Sequence, residues 1–310
     1  MHEASTNKVA VAEDMNPALF DVEAATPLSC FPDKSRREAE RLVVIKPHKG
    51  WMGVNWREIR NYRELLYFLT WREVKIRYKQ TVLGFLWAFI QPFLKMVVFS
   101  IVFGRLARMD SEGFPYPIFV YAGLLPWQFF AECLSRSSQS VVGSANLITK
   151  VYFPRLIIPL SSVGACLIDF AISFSILVAL MLYYGIMPTP AVLMVLPLTL
   201  LTIFTALGVG ILLSALNVSY RDFRYVIPFM VQIWMFATPV IYPVRIVPQN
   251  WQWLLSLNPM SGIVDAYRSC FLGKPFAWRN LTISLAVAFS VLLCGLIYFR
   301  RFEREFADIV

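Results

Sequence analysis

The sequence predicts an all-α polytopic membrane protein with six transmembrane helices, an N-terminal amphipathic interface helix, and re-entrant outer helices between the fifth and sixth spans. Of the 310 residues, 57% are hydrophobic and only 16% are charged, which is unusual for a soluble domain. Several apolar stretches approach or exceed the roughly 20 residues that a helix needs to cross a bilayer. The predicted spans are residues 83–104, 118–134, 157–184, 191–216, 226–244 and 281–299.

The residues before the first span divide into two parts. Residues 1–46 are polar, mixed in charge and without an apolar run of the length found in secretory signals. We expect a flexible cytosolic leader over residues 1–50, an amphipathic interface helix over 51–80 and a transmembrane domain over 81–310.

Basic residues near the ends of the predicted spans indicate the topology. Most of the Lys and Arg residues flanking the spans lie on the side that carries the N terminus. Because cytosolic loops are enriched in these residues, both termini are expected in the cytosol. The net charge of +9 is therefore interpreted as a topology signal and an attraction to anionic lipid, with no nucleic-acid partner.

The first element, over residues 56–79, combines apolar residues at helical spacing with basic residues on its other faces. Ile59, Tyr62, Leu66 and Leu69 form the apolar set. This pattern predicts a helix lying in the headgroup layer on the cytosolic side, with an ordinary solvated helix as the alternative. Its candidate interface residues are Tyr62, Arg63, Arg72, Arg77 and Tyr78.

Between the second and third spans lies a short cytosolic segment, SANLITKVYFP, over residues 144–154. Tyr152 and Phe153 are unfavourable in free solvent unless a partner covers them. We therefore predict a docking element, although a plain connecting loop is the alternative.

After the fifth span, the chain is broken by Pro239, Pro243, Pro248 and Pro259 into apolar pieces too short to cross the membrane. Such pieces are typical of short helices that dip into one leaflet, where protein or a wet path covers the irregular backbone. Aromatic residues suited to the outer interface accompany them, namely Tyr242, Trp251, Trp253 and Trp278.

Two ionisable residues are predicted at membrane depth, Lys95 in the first span and Asp169 in the third. Charges at this depth are costly and usually face protein or water. A structural Lys95–Asp169 pair and a functional role are both compatible with the sequence.

The first span carries Phe85, Phe89 and Phe93 at intervals of four, and the fifth carries Gln232 between two aromatic residues. Such stripes most often face lipid or the core. The competing hypothesis is a translocation path, because aromatic rings pack on sugar faces and Gln offers hydrogen bonds. The candidate channel residues are Phe85, Phe89, Phe93, Phe229, Gln232, Phe236 and Tyr242.

Catalytic chemistry in this chain is not expected. The cysteines are scattered without a CxxC pair, and His2 and His48 both precede the membrane part, so neither a metal site nor an imidazole acid-base pair is indicated. A membrane-embedded transferase would bring carboxylates together at one face, whereas Asp110, Asp222 and Asp265 are isolated and split between sides.

From about Tyr62 onward, the chain resembles the membrane subunit of type 2 ABC transporters that export cell-surface polysaccharide. The resemblance rests on five ordered pieces, YRELLYFLTWREVKIRYKQTVLGFLWAFIQPF, FPYPIFVYAGLLPWQFF, ITKVYFPRLIIPL, SYRDFRYVIPFMVQIWMFATPVIYP and LNPMSGIVDAYR. Members of this family export O-antigen, capsule or teichoic-acid polymers. An exporter of drugs or lipids with the same architecture is the alternative.

The resemblance implies a homodimer in the bacterial inner membrane with two copies of a separate cytosolic ATPase, which binds ATP and Mg. No GxxxxGK[ST] phosphate loop occurs in the chain, so no cofactor is expected here. The family's interface helix falls on residues 55–79, its coupling helix on 145–154 and its re-entrant helices on 239–262, and the first and fifth spans of both protomers line the path of a lipid-linked glycan. The implied ATPase contacts are Asn146, Lys150, Tyr152, Phe153 and Arg155.

Overall fold

The computed structural model describes residues 60–79, 86–220 and 222–303, and the regular secondary structure within these ranges is helical throughout. The α-helices are α1 Arg63–Tyr78, α2 Leu86–Phe99, α3 Tyr116–Gly143, α4 Ala145–Lys150, α5 Ile157–Tyr183, α6 Val195–Ser219, α7 Phe223–Ala237, α8 Gln249–Leu257, α9 Pro259–Leu272 and α10 Trp278–Phe302. The predicted leader lies outside the described residues. Short 3₁₀ turns, Pro190–Met194 and Val244–Ile246, precede α6 and α8.

Five helical segments of the described chain are long and apolar enough to cross a membrane. They are Leu86–Leu106, Tyr116–Gly143, Ile157–Tyr183, Pro190–Ser219 and Trp278–Phe302. Each overlaps a predicted span, so the prediction of a multi-pass helical membrane protein is confirmed at this level. Several helices extend past the predicted ends, because a helix continues into the headgroup layer while its backbone hydrogen bonds are satisfied internally.

The remaining predicted span, residues 226–244, corresponds to a shorter helix. α7 contains 15 residues, Phe223–Ala237, and its helical backbone ends where Thr238 becomes extended. At 1.5 Å per residue this length is about 22 Å, less than the roughly 30 Å hydrocarbon core. The sixth crossing therefore stays a prediction.

α3 is the central helix of the bundle and α2 is the most peripheral of the long helices. Within an apolar stretch of 18 residues taken from each segment, 78% of the residues are buried in α3. In the segment Leu86–Leu106, which begins with α2, only 11% are buried. α3 packs against α5, α6 and α9. Large side chains such as Phe119 and Phe130 are completely buried there, so α3 forms the core around which the other helices are placed.

α2 departs from regular α-helical winding at its C-terminal end. It contains Pro92 and continues directly into a π-helical segment, Ser100–Leu106. The rings of Phe99 and Phe103 stack across this junction with centroids 5.7 Å apart. Wider π-helical turns occur mostly in short segments that are frequently near functional sites.

α6 and α10 approach each other through glycines. A Cβ added to Gly295 would clash with the backbone oxygen of Gly208. Small residues permit this close approach of the two backbones. Within lipid, helices gain no hydrophobic driving force for association, so close van der Waals packing stabilises the pair instead. Because no side chain fits at this contact, α6 and α10 form one tightly packed pair.

The predicted interface helix is helical where it is described, from Arg63 to Tyr78, and it packs against α5. Leu69 is buried, and Thr70 lies beside Gly164, where an added Cβ would be 3.0 Å from the Thr70 methyl carbon. Large apolar side chains on the other faces are exposed, including Tyr67, Phe68, Trp71 and Ile76. Its location in the headgroup layer remains a prediction.

Candidate functional site

A groove of about 990 Å³ lies between α2, α3, α5 and α7, and the last turn of α1 closes one end. Its apolar walls include aromatic rings, contributed by Trp87, Phe99, Trp127, Phe129 and Phe170. Three amides from three helices, Gln91, Gln128 and Gln232, face the same space. The groove therefore combines flat apolar surfaces with hydrogen-bonding groups, as ligand sites commonly do.

The structure divides the predicted channel residues between the groove and other surfaces. Gln232 lines the groove. Phe93, Phe229 and Phe236 are exposed on α2 and α7 without lining it, while Phe89 is half-buried and Phe85 lies outside the described residues. The four-residue stripe therefore does not itself form the wall of this groove.

Tyr242 lies apart from that groove, in a smaller cavity of about 390 Å³ beside α8. Its hydroxyl donates a hydrogen bond to the backbone oxygen of Phe236 at 3.2 Å. The residue therefore ties the broken segment back to the end of α7.

The α1 end of the groove contains a network of charges from three helices. Arg77 of α1 donates to Glu132 of α3 at 2.8 Å and forms an ion pair with Asp169 of α5. Arg136 donates to the same Glu132 oxygen at 2.6 Å. The Tyr78 hydroxyl donates to Asp169, and burial raises the pKa of this phenol, so it stays protonated at neutral pH. The network fastens α1 to the membrane bundle.

This network gives Asp169 a different partner from the one that the sequence suggested. Within the described chain, its ion pair is with Arg77, so the Lys95–Asp169 pair that the sequence allowed is not formed. The reason is the packing of α1 on α5, which brings a cation from outside the spans against Asp169. Lys95 also lines the groove, but forms no ion pair with any described residue.

The other candidate residues of α1 lie away from the groove. Arg63 and Arg72 are exposed, and Arg72 pairs with its neighbour Glu73 at 3.0 Å. Tyr62 is half-buried against the core.

The segment around α4 projects from the end of α3, and its two aromatic residues have different environments. Asn146 and Lys150 are exposed, and Tyr152 is 65% exposed. Phe153, predicted as a docking contact, is only 5% exposed and belongs to the core. The ring packs in the core in this structure, and its role as an ATPase contact stays a prediction.

Arg155 follows Phe153 and links the segment to α10. Its half-buried backbone N–H donates to a carboxylate oxygen of Glu303 at 3.3 Å, and Glu303 also pairs with Arg300 at 3.5 Å. The end of α10 therefore holds the chain that follows α4.

The broken segment after α7 is organised by Arg268 of α9. This guanidinium donates to the backbone oxygens of Pro239 at 2.8 Å and Val240 at 2.6 Å, and more weakly to that of Tyr242 at 3.3 Å. It lies 3.9 Å from the centre of the Phe119 ring. Burial lowers its pKa to about 10, so it remains a cation at neutral pH. Arg268 thus donates the hydrogen bonds that these backbone oxygens would have received from N–H groups in a helix.

Two further side chains hold the same segment. The Tyr116 hydroxyl donates to the backbone oxygen of Ile241 at 2.9 Å, and the Asn258 amide donates to the Thr238 hydroxyl at 2.8 Å. The Trp234 ring nitrogen in turn donates to Asn258 at 3.1 Å. Sequence reasoning missed this site, although an Arg within an apolar helix shortly after four prolines was a usable signal.

The connection between α2 and α3 carries acidic residues that pair with the segments after α7 and α9. Asp110 pairs with Arg245, and Glu112 pairs with Lys274. Lys274 also lies 5.2 Å from the centre of the Phe119 ring. Lys274 and Arg268 therefore both lie against the Phe119 ring. No cluster of potential metal ligands occurs among the described residues.

Comparison with known proteins gives consistent matches along most of the chain. The ABC-2 type transporter family model matches residues 64–272. An O-antigen export system permease protein of Myxococcus xanthus is 32% identical over 257 residues, covering 82% of this chain and 98% of that protein. One from Klebsiella pneumoniae is 28% identical, with 80% and 95% covered. The polysialic acid transport protein of Escherichia coli is 24% identical, with 75% and 91% covered.

Proposed function

The chain belongs to the ABC-2 type transporter family, and from this membership we propose that it is the permease subunit of an ATP-driven polysaccharide exporter. Its cargo is a lipid-linked, O-antigen-like glycan that crosses the bacterial inner membrane from the cytosolic side. The main support for this proposal is the similarity to O-antigen export permeases over nearly the full length of those proteins. The matches named above do not favour the drug or lipid exporter alternative.

Energy for transport comes from a separate cytosolic ATPase that binds ATP and Mg. The exposed part of the α4 segment, with Asn146, Lys150 and Tyr152, is the proposed ATPase contact. Its buried neighbour Phe153 anchors the segment, and Arg155 connects it to Glu303 at the end of α10. Movement of α4 is therefore expected to reach both α3 and α10 without any bond-making chemistry in this chain.

The transport path is proposed to form between two copies of the chain. α2 is exposed along most of its length, and α7 presents Phe229, Ile233 and Phe236 outward. A second copy facing these surfaces would complete an aromatic channel, with the groove opening beside it. A continuous channel suits a polymer better than a small enclosed site does.

The membrane arrangement follows from the same proposal. α7 together with the broken segment makes the sixth crossing, and α8 and α9 are re-entrant on the outer side. This assignment places the Arg268 site in the outer leaflet, where irregular backbone is tolerated because protein covers it. Both termini then lie in the cytosol, and α1 lies at the cytosolic headgroup layer.

Deletion of the gene in its own host tests the function. We expect lipid-linked glycan to accumulate on the cytosolic side and to disappear from the surface, and a plasmid copy to restore the surface pool. Fractionation of both pools, with a deletion of the partner ATPase in parallel, makes the measurement. An unchanged glycan distribution would reject polysaccharide export and direct attention to a drug or lipid cargo.

A further inference from the structure

Lys95 is a cation at membrane depth with access to the groove. It lies on α2, one helical turn beyond Gln91, and both side chains are exposed to the cavity they line. A charge at this depth is costly unless it faces protein charges, water or a ligand.

The acids that line the groove are already engaged. Asp169 accepts from Tyr78 and is ion-paired with Arg77, and Glu132 accepts from Arg77 and Arg136. The ionisable groups of the wall comprise three cations and two carboxylates, which leaves one positive charge in excess at Lys95.

A second observation concerns a residue of the same groove wall. The Nε2 atom of Gln128 is buried and has no hydrogen-bond partner among the described residues. Gln128 lines the groove from α3, whereas Lys95 and Gln91 line it from α2. Buried donors without partners cost free energy. A group rich in acceptor oxygens and negatively charged would satisfy both the orphan amide and the excess cation.

We propose that the groove binds the phosphate head of a lipid, with Lys95 as its charged contact and Gln128 as a hydrogen-bond donor. The aromatic walls from Trp87, Trp127 and Phe170 would hold the first carbons of the lipid tail or the adjoining sugar. This inference rests on the proposed function, since the phosphate would be the one that joins the glycan to its lipid carrier. Lys95 then recognises the carrier, whereas the polymer itself is handled elsewhere.

The test measures binding to the full chain, purified with its ATPase in dodecyl maltoside and titrated with dodecyl phosphate. The detergent has the same tail without phosphate, so binding above its background reports the head group. Native mass spectrometry counts the bound probe. Lys95→Met is expected to weaken binding about tenfold or more, because it removes a charge-assisted contact. Gln128→Leu should weaken binding by a smaller factor, and Lys95→Arg should retain most of it.

Lys75→Met is the matched control, since Lys75 is an exposed lysine on α1 that does not line the groove. Equal binding by Lys95→Met and the parent chain would overturn the proposal. If inorganic phosphate displaces the bound dodecyl phosphate, the groove is a site for free anions. If phosphatidylglycerol displaces dodecyl phosphate as effectively as unlabelled dodecyl phosphate does, the groove is an ordinary phospholipid site. Either result would also overturn a carrier-specific site.

The binding test and the gene deletion distinguish an error in the phosphate site from an error in the proposed function. If deletion abolishes surface glycan while Lys95→Met binds normally, only the phosphate site is wrong. If deletion leaves surface glycan unchanged while the probe still requires Lys95, the phosphate site stands and the assigned cargo is wrong.

Discussion

The α1 end of the groove and the broken segment after α7 both contain an arginine removed from bulk water, but the two arginines have different partners. Arg77 pairs with carboxylates on two other helices, Glu132 and Asp169, and its side chain is 24% exposed. Arg268 donates to backbone oxygens of one short segment and is 2% exposed. One cation joins side chains of separate helices, whereas the other holds the main chain of one segment.

The difference indicates which part of the bundle can move. Ion pairs between side chains on separate helices can break and reform as the helices shift, particularly when water reaches them. In the outer-leaflet position proposed above, the backbone oxygens of the broken segment have no alternative donor, so loss of Arg268 is costly. We infer that movement enters at the α1 and α4 side, while the Arg268 site stays rigid.

Arg268→Met provides the strongest test of this contrast. The substitution leaves the oxygens of Pro239 and Val240 without their donor, and we expect a loss of about 3–5 kcal/mol of stability. Thermal unfolding in detergent measures it, with Arg279→Met, at an exposed position of α10, as the matched control. Equal melting of the two variants would contradict a structural role for Arg268. Arg268→Lys should be intermediate, because it keeps the charge but has fewer well-placed donors.

Asp169→Asn should have a smaller effect at the α1 end. It weakens the contacts to Arg77 and Tyr78, and we expect a loss of about 1–3 kcal/mol. Hydrogen exchange should increase in α1 and change little in α9. Glu73→Gln, at an exposed pair on α1, is the control. Unchanged exchange in α1 would show that packing of Leu69, and not the charge network, holds this helix.

Arg245→Met should have an effect below about 1 kcal/mol, because exposed ion pairs contribute little. Its side chain is 56% exposed and that of its partner Asp110 is 52% exposed. The melting temperatures of the variant and the parent chain should differ even less at high salt, because salt screens exposed ion pairs. A loss of stability as large as that of Arg268→Met would mean that the neighbouring ion pairs, and not Arg268, hold the broken segment after α7.

Tyr152→Ala should leave stability nearly unchanged, since the side chain is exposed, while it weakens association with the ATPase. Co-purification of the ATPase at increasing salt measures the association, with thermal unfolding as the stability check. Phe153→Ala is the informative comparison, because loss of a buried aromatic ring should lower stability by about 3–5 kcal/mol. Full ATPase recovery with Tyr152→Ala would reject this surface as the contact.

The sequence was sufficient for the features that depend on local composition. Apolar length identified each of the five long segments, and ordered motifs identified the family. α7 was harder, because its apolar run continues through Val240 and Ile241 although the helix ends at Ala237. Pro239 and Pro243 signalled a break there without fixing where the helix would stop.

The features that sequence reasoning missed depend on contacts between distant parts of the chain. Asp169 pairs with Arg77 instead of Lys95 because Thr70 and Gly164 bring α1 against α5. Phe153 could not be distinguished from its neighbour Tyr152 by residue type, since only the tertiary packing buries one of them. Arg268 resembled an ordinary loop cation by its position between two spans.

The π-helical segment Ser100–Leu106 has a consequence for mutational scanning of the first span. Side chains before Ser100 follow the 3.6-residue period of α2, whereas the wider winding after it rotates each later side chain out of that phase. A scan that records function against position should therefore give two periodic patterns with a phase break near residue 100. A single rotational register fitted to the whole span would assign the wrong face to Phe103.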